Sequence, residues 1–170
     1  PIMSLYVYHS NPAAITPDQN AVLAGLNRED LFTVVHERFM TDIARFADVI
    51  LAATTSVEHS DIYISYGHYG IQRAYPAIPP IGEAKSNWDA FSLLAQTMGF
   101  DEAFFLQTTD ELIDQLMDKP TTWLASADMA KLKTGKAIEL PLPSGYKTDF
   151  KTPSGKIEIL NPVEIEPLPN

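Results

Sequence analysis

The 170-residue chain contains no cysteine. That excludes disulfides, thiolate nucleophiles, iron–sulfur ligation and zinc–thiolate sites from within it. Basic residues are scarce: 12 Lys and Arg stand against 22 Asp and Glu, a formal net charge of −10. A surface of that sign opposes the phosphate backbone of nucleic acid, so nucleic acid is not an expected partner. A local nucleotide pocket stays open as a possibility, because backbone amides hold phosphates without net positive charge. No apolar run reaches the roughly 18 residues that a membrane-spanning helix needs.

Several catalytic signatures are missing too. There is no G-x-G-x-x-G, no P-loop and no G-x-S-x-G elbow. His36-Glu37 opens like the zinc motif H-E-x-x-H, but Met40 stands where the second histidine belongs. Glu58, His59 and Asp61 have a spacing that fits no particular metal shell, and nothing nearby completes one. None of the four histidines has a compelling nucleophile beside it. An autonomous enzyme is therefore the least supported class. The N-terminus lacks an initiator methionine, lacks the charged region of a signal peptide and starts inside an apparent strand. We expect a piece excised from a longer chain, with trimming during preparation as the alternative.

What is present is an ordinary globular composition, 45% hydrophobic and 20% charged, sufficient for one domain or one domain and a tail. The stretch Phe32 to Thr55 organises it. Two short apolar runs, Phe32–His36 and Asp48–Ala52, flank a segment in which Met40, Ile43, Ala44 and Ala47 fall at helical spacing. That is a βαβ unit with parallel strands. Upstream, Ile2–Tyr8 reads as a strand. A helix capped by Thr16, with Pro17 in its first position and Val22, Leu23 and Leu26 inward, completes a first βαβ unit.

Ligands of such sheets sit outside the carboxyl ends of the strands. His36 and Glu37 lie at one such end. Thr41 opens the next helix, where free N–H groups favour polar ligands. Asn11, in the turn after the first strand, offers an amide to a base, ribose or phosphate, or else caps the turn. Asp48 either caps the Thr41–Ala47 helix and starts the next strand, or touches ligand. Farther on, Ile62–Gly70 reads as an exposed hairpin or edge strand, and Pro76–Pro80 as an extended connector. Ser86 caps a helix with Trp88, Phe91, Leu94, Ala95 and Met98 as a core stripe, ended by Gly99. A further helix starts at Thr108 or Thr109 with Leu112, Ile113 and Leu116 inward, and a shorter one covers about 122–132. From Thr134 the chain is punctuated by Gly and Pro. The fold class expected is α/β: a three-layer Rossmann-like domain with a short parallel sheet over 1–133, including a helical section, then an irregular Pro/Gly-rich tail over 134–170.

The run Val34-Val35-His36-Glu37-Arg38-Phe39-Met40-Thr41-Asp42-Ile43, continuing through Leu51-Ala52-Ala53-Thr54-Thr55-Ser56-Val57-Glu58-His59-Ser60-Asp61, resembles the catalytic subunits of the molybdopterin oxidoreductases. These are enzymes of the dimethyl sulfoxide reductase and formate dehydrogenase type. The likeness extends from about Tyr6 to about Glu158 and falls late in those chains, in the second of two domains that hold molybdopterin guanine dinucleotide. It implies that this segment binds the guanosine end of that cofactor, while the molybdenum or tungsten is held elsewhere. It carries a guanine-reading role to Glu37, a nucleotide contact to Asn11 and a hydroxyl contact to Thr41. His36 then supports the loop or meets the ribose. The likeness also implies that Ser65 to Gln72 help line the site, with His68 and Gln72 as weaker contacts, and that Thr152–Glu158 leads toward a β-barrel domain. Implied partners are the remaining domains of the catalytic subunit and electron-transfer subunits. Two positions depart from the family pattern: Ile43 replaces a common threonine and Ala52 a common proline. A free-standing α/β module that binds a nucleotide or a protein is the alternative.

Overall fold

Three short strands, Ser4–Tyr8 (β1), Phe32–Glu37 (β2) and Val49–Ala52 (β3), form one parallel sheet with β2 in the centre. The computed structural model describes residues 2–64, 66–118, 124, 127–140, 142 and 144–159. Register places Tyr8, His36 and Leu51 in one row, and Glu37 beside Ala52. Because side chains alternate across a strand, Val7 and Val35 face one side while Tyr8 and His36 face the other. On the first side Val7 and Val35 pack with Ala13, Leu26, Ile43 and Ala44. On the second, the Phe91 ring lies 5.0 Å from Tyr6 and 4.9 Å from Tyr8 between centroids. Phe91 belongs to the helix Asn87–Thr97, so helical segments cover both faces. The three-layer α/β arrangement expected from the pattern is the one found.

The segment between β1 and β2 differs from its expectation. It holds two helices, Pro12–Ile15 (α1) and Gln19–Leu26 (α2), and Thr16 ends the first instead of capping the second. A residue before proline is pushed out of the helical region, and Thr16 sits at φ −82°, ψ 134°. Asp18 then turns the chain with φ 54° and caps α2 by accepting from the Ala21 N–H. The Thr41–Ala47 helix is a five-residue 3₁₀ turn, Asp42–Phe46. Ile43, the departure from the family pattern, is fully buried there. Its methyl groups fill the core where a threonine hydroxyl would need a partner.

A second, antiparallel sheet joins Asp61–Ile64 (β4), Gly70–Ala74 (β5) and Ile138–Glu139 (β6). The hairpin β4–β5 meets the expectation for this stretch. The helix Asn87–Thr97 (α3) is capped by Ser86 as expected, its hydroxyl accepting from the Asp89 N–H. Its stripe is only partly core: Ala95 is buried, but Leu94 and Met98 are exposed. The helix is rotated so that Trp88 and Ser92 face the 3₁₀ turn Ala103–Leu106 and its exit, bonding the Gln107 and Phe105 carbonyls.

The helix Thr109–Asp118 (α4) begins with a reciprocal capping box between Thr108 and Glu111. Its buried residues are Ile113 and Met117, one turn apart, and Leu116 is exposed. Those two side chains, with Ile71, Leu124, Leu132 and Ile138, make the second core. Met129–Lys133 (α5) is capped by Asp128. The first part of the helix expected over 122–132 lies mostly outside the described residues. The start of the 134–170 stretch is built into this second unit, because β6 pairs with β5. Residues 144–159 form turns without a helix or strand, and 160–170 lie outside the described residues.

Candidate functional site

The carboxyl ends of β1, β2 and β3 open onto a cavity of about 190 Å³. Parallel strands with short connections bring their exit loops to one rim, which is why residues far apart in sequence meet there. His36 and Glu37, the last two residues of β2, both line it. His9 arrives from the loop after β1 and holds a left-handed conformation, φ 53°. Thr54 arrives from the exit of β3. His59 and Asp61 close the side toward the second sheet.

Hydrogen bonds fix most of these groups. Glu37 is half-buried, and its Oε1 accepts from the Arg38 N–H at 2.7 Å. His36 is 1% exposed, with Nε2 3.2 Å from the Lys85 carbonyl oxygen. Lys85 is seated on the outer edge of β3: its N–H donates to the Ala52 carbonyl and its carbonyl accepts from the Thr54 N–H. The Thr54 hydroxyl meets His59 Nδ1 at 2.8 Å, and His59 Nε2 lies 3.9 Å from Asp61 Oδ2. Burial, and then the Asp61 charge, push the Tyr63 phenol above its ordinary pKa, so it stays neutral beside the cavity.

The other expected site residues are placed differently. The Asn11 side-chain oxygen accepts from the Ile43 N–H at 3.2 Å, bridging the loops after β1 and β2. Thr41 precedes the 3₁₀ turn with its hydroxyl buried and without a hydrogen-bond partner among the described residues. Asp48 is not brought to the rim. Its carboxylate accepts from the Thr33 N–H at 2.7 Å, at the end of the sheet where β2 and β3 begin. At about 3.3 Å per residue, that is roughly 13 Å along β2 from Glu37. His68 Nδ1 accepts from the Gly70 N–H and Gln72 donates to the Gly135 carbonyl, so both are engaged in the second unit. Ser65 lies outside the described residues.

Arg38, Thr54 and Asn87 line the cavity and were missed from the sequence. The first two were within reach of the carboxyl-end rule, since Arg38 directly follows β2 and Thr54 comes two residues after β3. Asn87, His59 and Asp61 were not, because their approach depends on the second sheet and α3. Glu58 does not join His59 and Asp61. It turns away to accept from the Thr55 N–H and hydroxyl and from the Ile81 N–H. Among the described residues no three His, Asp or Glu side chains converge as a metal shell would require. No helix among them is long and apolar enough to cross a membrane.

Comparison with known proteins agrees with this fold. The probable oxidoreductase YoaE of Bacillus subtilis is 44% identical over 164 residues, which cover 94% of this chain and 24% of that protein. A putative formate dehydrogenase of Staphylococcus aureus is 30% identical over 165 residues, covering 93% of this chain and 16% of the relative. The chain thus spans a quarter or less of the length of these relatives. Acetylene hydratase from Pelobacter acetylenicus has a similar fold, with TM-score 0.67 and 24% identity, over 92% of this chain and 21% of that one. The family model for molybdopterin oxidoreductase matches residues 1–97, more than half of the chain and all three parallel strands with their exit loops. The chain belongs to the molybdopterin oxidoreductase family.

Proposed function

We propose that the rim formed by β1, β2 and β3 holds the guanosine end of a molybdopterin guanine dinucleotide. One observation carries this: two adjacent residues, His36 and Glu37, end the central parallel strand and line the same cavity. The donor set fits the group. Glu37 has one oxygen committed to the Arg38 N–H, and the other has no hydrogen-bond donor among the described residues. Guanine presents paired N–H donors on one edge, which a carboxylate accepts; adenine presents no such pair. Thr41 supplies a buried hydroxyl without a protein partner among the described residues. Asn11 sets the spacing of two exit loops through Ile43. Asp48 has no part in this site, because its carboxylate fastens the far end of the sheet.

When bound, the cofactor's metal supplies the two-electron redox chemistry of the whole enzyme. The residues here bind and orient its nucleotide end. The rest of a longer catalytic subunit supplies the metal ligand, the substrate pocket and any electron-transfer contacts. On this basis the 170-residue chain alone turns over no artificial electron donor.

The test is titration of the chain with GMP and AMP, followed by calorimetry or NMR, for the wild type and Glu37→Gln. GMP binds selectively, and the substitution weakens it about tenfold or more, as expected for a hydrogen bond to a charged group. Equal binding of both nucleotides would favour a free-standing nucleotide-binding module, and binding of neither a protein-interaction module.

A further inference from the structure

Parallel strands are ordinarily buried on both faces. β3 is not: it stands at the edge of its sheet, and all four of its residues are exposed. The Ala53 N–H donates inward to the Glu37 carbonyl, while the Ala52 carbonyl accepts outward from the Lys85 N–H. Backbone groups alternate in this way along a strand, so the Ile50 N–H and C=O and the Ala52 N–H also point outward. Lys85 bridges this edge at Ala53, just past the end of β3. Toward the start of the strand the outward groups have no hydrogen-bond partner among the described residues. Beside them lies a cavity of about 460 Å³, walled by Ile50 and Leu51 on one side and by Ala90, Leu94 and Thr97 of α3 on the other. Those three fall at i, i+4 and i+7 and so form one stripe of the helix. Phe91 turns toward β1, but Leu93 and Leu94 stay 50% and 40% exposed.

We infer that this groove receives an extended apolar segment from the part of the catalytic subunit that lies outside these 170 residues. The chain covers 24% of YoaE, so three quarters of a protein of that length is there to supply it. The two walls together select the occupant. An extended segment pairs its backbone with Ile50 and Ala52, and seats alternate side chains against Leu51 and Leu94. A helix would cover the apolar wall and leave the strand edge unpaired. A second copy of this chain is the poorer occupant, because each copy carries a net charge of −10 and the two repel. Membership of a longer subunit names the remaining domains as partners without saying which face meets them; the free edge of β3 and the stripe of α3 are that face. The inference rests on the longer subunit proposed above, and not on the guanosine assignment.

The experiment measures amide hydrogen exchange at single-residue resolution in the full-length catalytic subunit and in this chain alone. The Leu51 amide, which faces β2, is the internal standard, so a difference in overall stability cancels. In the chain alone, Ile50 and Ala52 exchange about tenfold or more faster than Leu51. In the full subunit that ratio falls to near one. Leu94→Lys then leaves the thermal midpoint of the chain alone unchanged and lowers that of the full subunit. A ratio that is the same in both proteins overturns the inference. So does protection of Ile50 and Ala52 in the chain alone that appears together with a dimer in sedimentation, since the occupant is then a second copy. If the full-length variant fails to fold, exchange in the two wild-type proteins still decides the matter. GMP binding by the chain carrying Leu94→Lys matches the wild type, so the guanosine assignment stands or falls separately.

Discussion

The Asn11 side-chain oxygen accepts a hydrogen bond from the Ile43 N–H, 32 residues away and on the neighbouring loop. The donor is a backbone amide, so the orientation of the Asn11 amide is fixed. This single bond ties the exit of β1 to the exit of β2. Asn11→Ala leaves the Ile43 N–H unpaired and lowers stability by about 1 kcal/mol, whereas Asn11→Asp keeps an acceptor and loses less. Urea denaturation at pH 7 measures both. Equal losses would mean that the bond to Ile43 is not what Asn11 contributes.

Glu58 ties the loop after β3 to the proline-rich connector. Its carboxylate accepts from the Thr55 hydroxyl at 2.6 Å, the Thr55 N–H at 2.6 Å and the Ile81 N–H at 2.8 Å. The Thr55 hydroxyl, then the two backbone donors, hold its pKa below the usual 4.5. A carboxylate depressed in the folded state stabilises the fold above its unfolded pKa, and that contribution is lost as pH falls through the folded value. The thermal midpoint should therefore decline in acid below about pH 4.5. Glu58→Gln lowers the midpoint at pH 7 and shows a smaller decline in acid. A variant that parallels the wild type at every pH would show that this carboxylate is not a source of the acid sensitivity.

Arg73 on β5 is 4% exposed and reaches Asp110 at 2.6 Å and Asp114 at 2.5 Å on α4. Burial alone would lower the pKa of its guanidinium, but the two carboxylates offset that and hold it above its ordinary value. The partners are not equivalent: both carboxylates are about half exposed. Removing the arginine leaves acids that water can solvate, while removing the acids leaves a buried cation. The double change Asp110→Asn with Asp114→Asn should cost about 3 kcal/mol or more, and Arg73→Met distinctly less. Chemical denaturation ranks the two, and the reverse order would contradict the account.

The parallel sheet was legible because its strands are runs of apolar and β-branched residues separated by helical spacing, and because β2 ends abruptly in His36 and Glu37. The split between α1 and α2 was less so. Asn11-Pro12 is a helix start in its own right, but Thr16-Pro17-Asp18 offers a second start in the same short span. Only Asp18 in its left-handed turn resolves the competition. Asp48 shows the limit of rim reasoning. Its type suits a ligand contact, yet it stands just before β3, at the end of the sheet opposite the rim, where its carboxylate accepts from the Thr33 N–H. Met98 shows a different limit. Helical period identifies a stripe, but the neighbouring segment decides which part of the stripe is covered.

The last strand of the second sheet has a consequence for biosynthesis. β6 pairs Glu139 with Gly70 and Ile138 with Ile71, closing a loop of nearly seventy residues. The first sheet needs nothing beyond Ala52. On a ribosome the three paired strands therefore come together early, from contacts close in sequence, while Asn87, His59 and Asp61 join the rim cavity later. Leu132 and Ile138 reach the second core only after about half of the chain has followed β3 out of the exit tunnel. Until then Ile71, Ile113 and Met117 remain without those two partners, and the nascent chain is most vulnerable to aggregation in that interval.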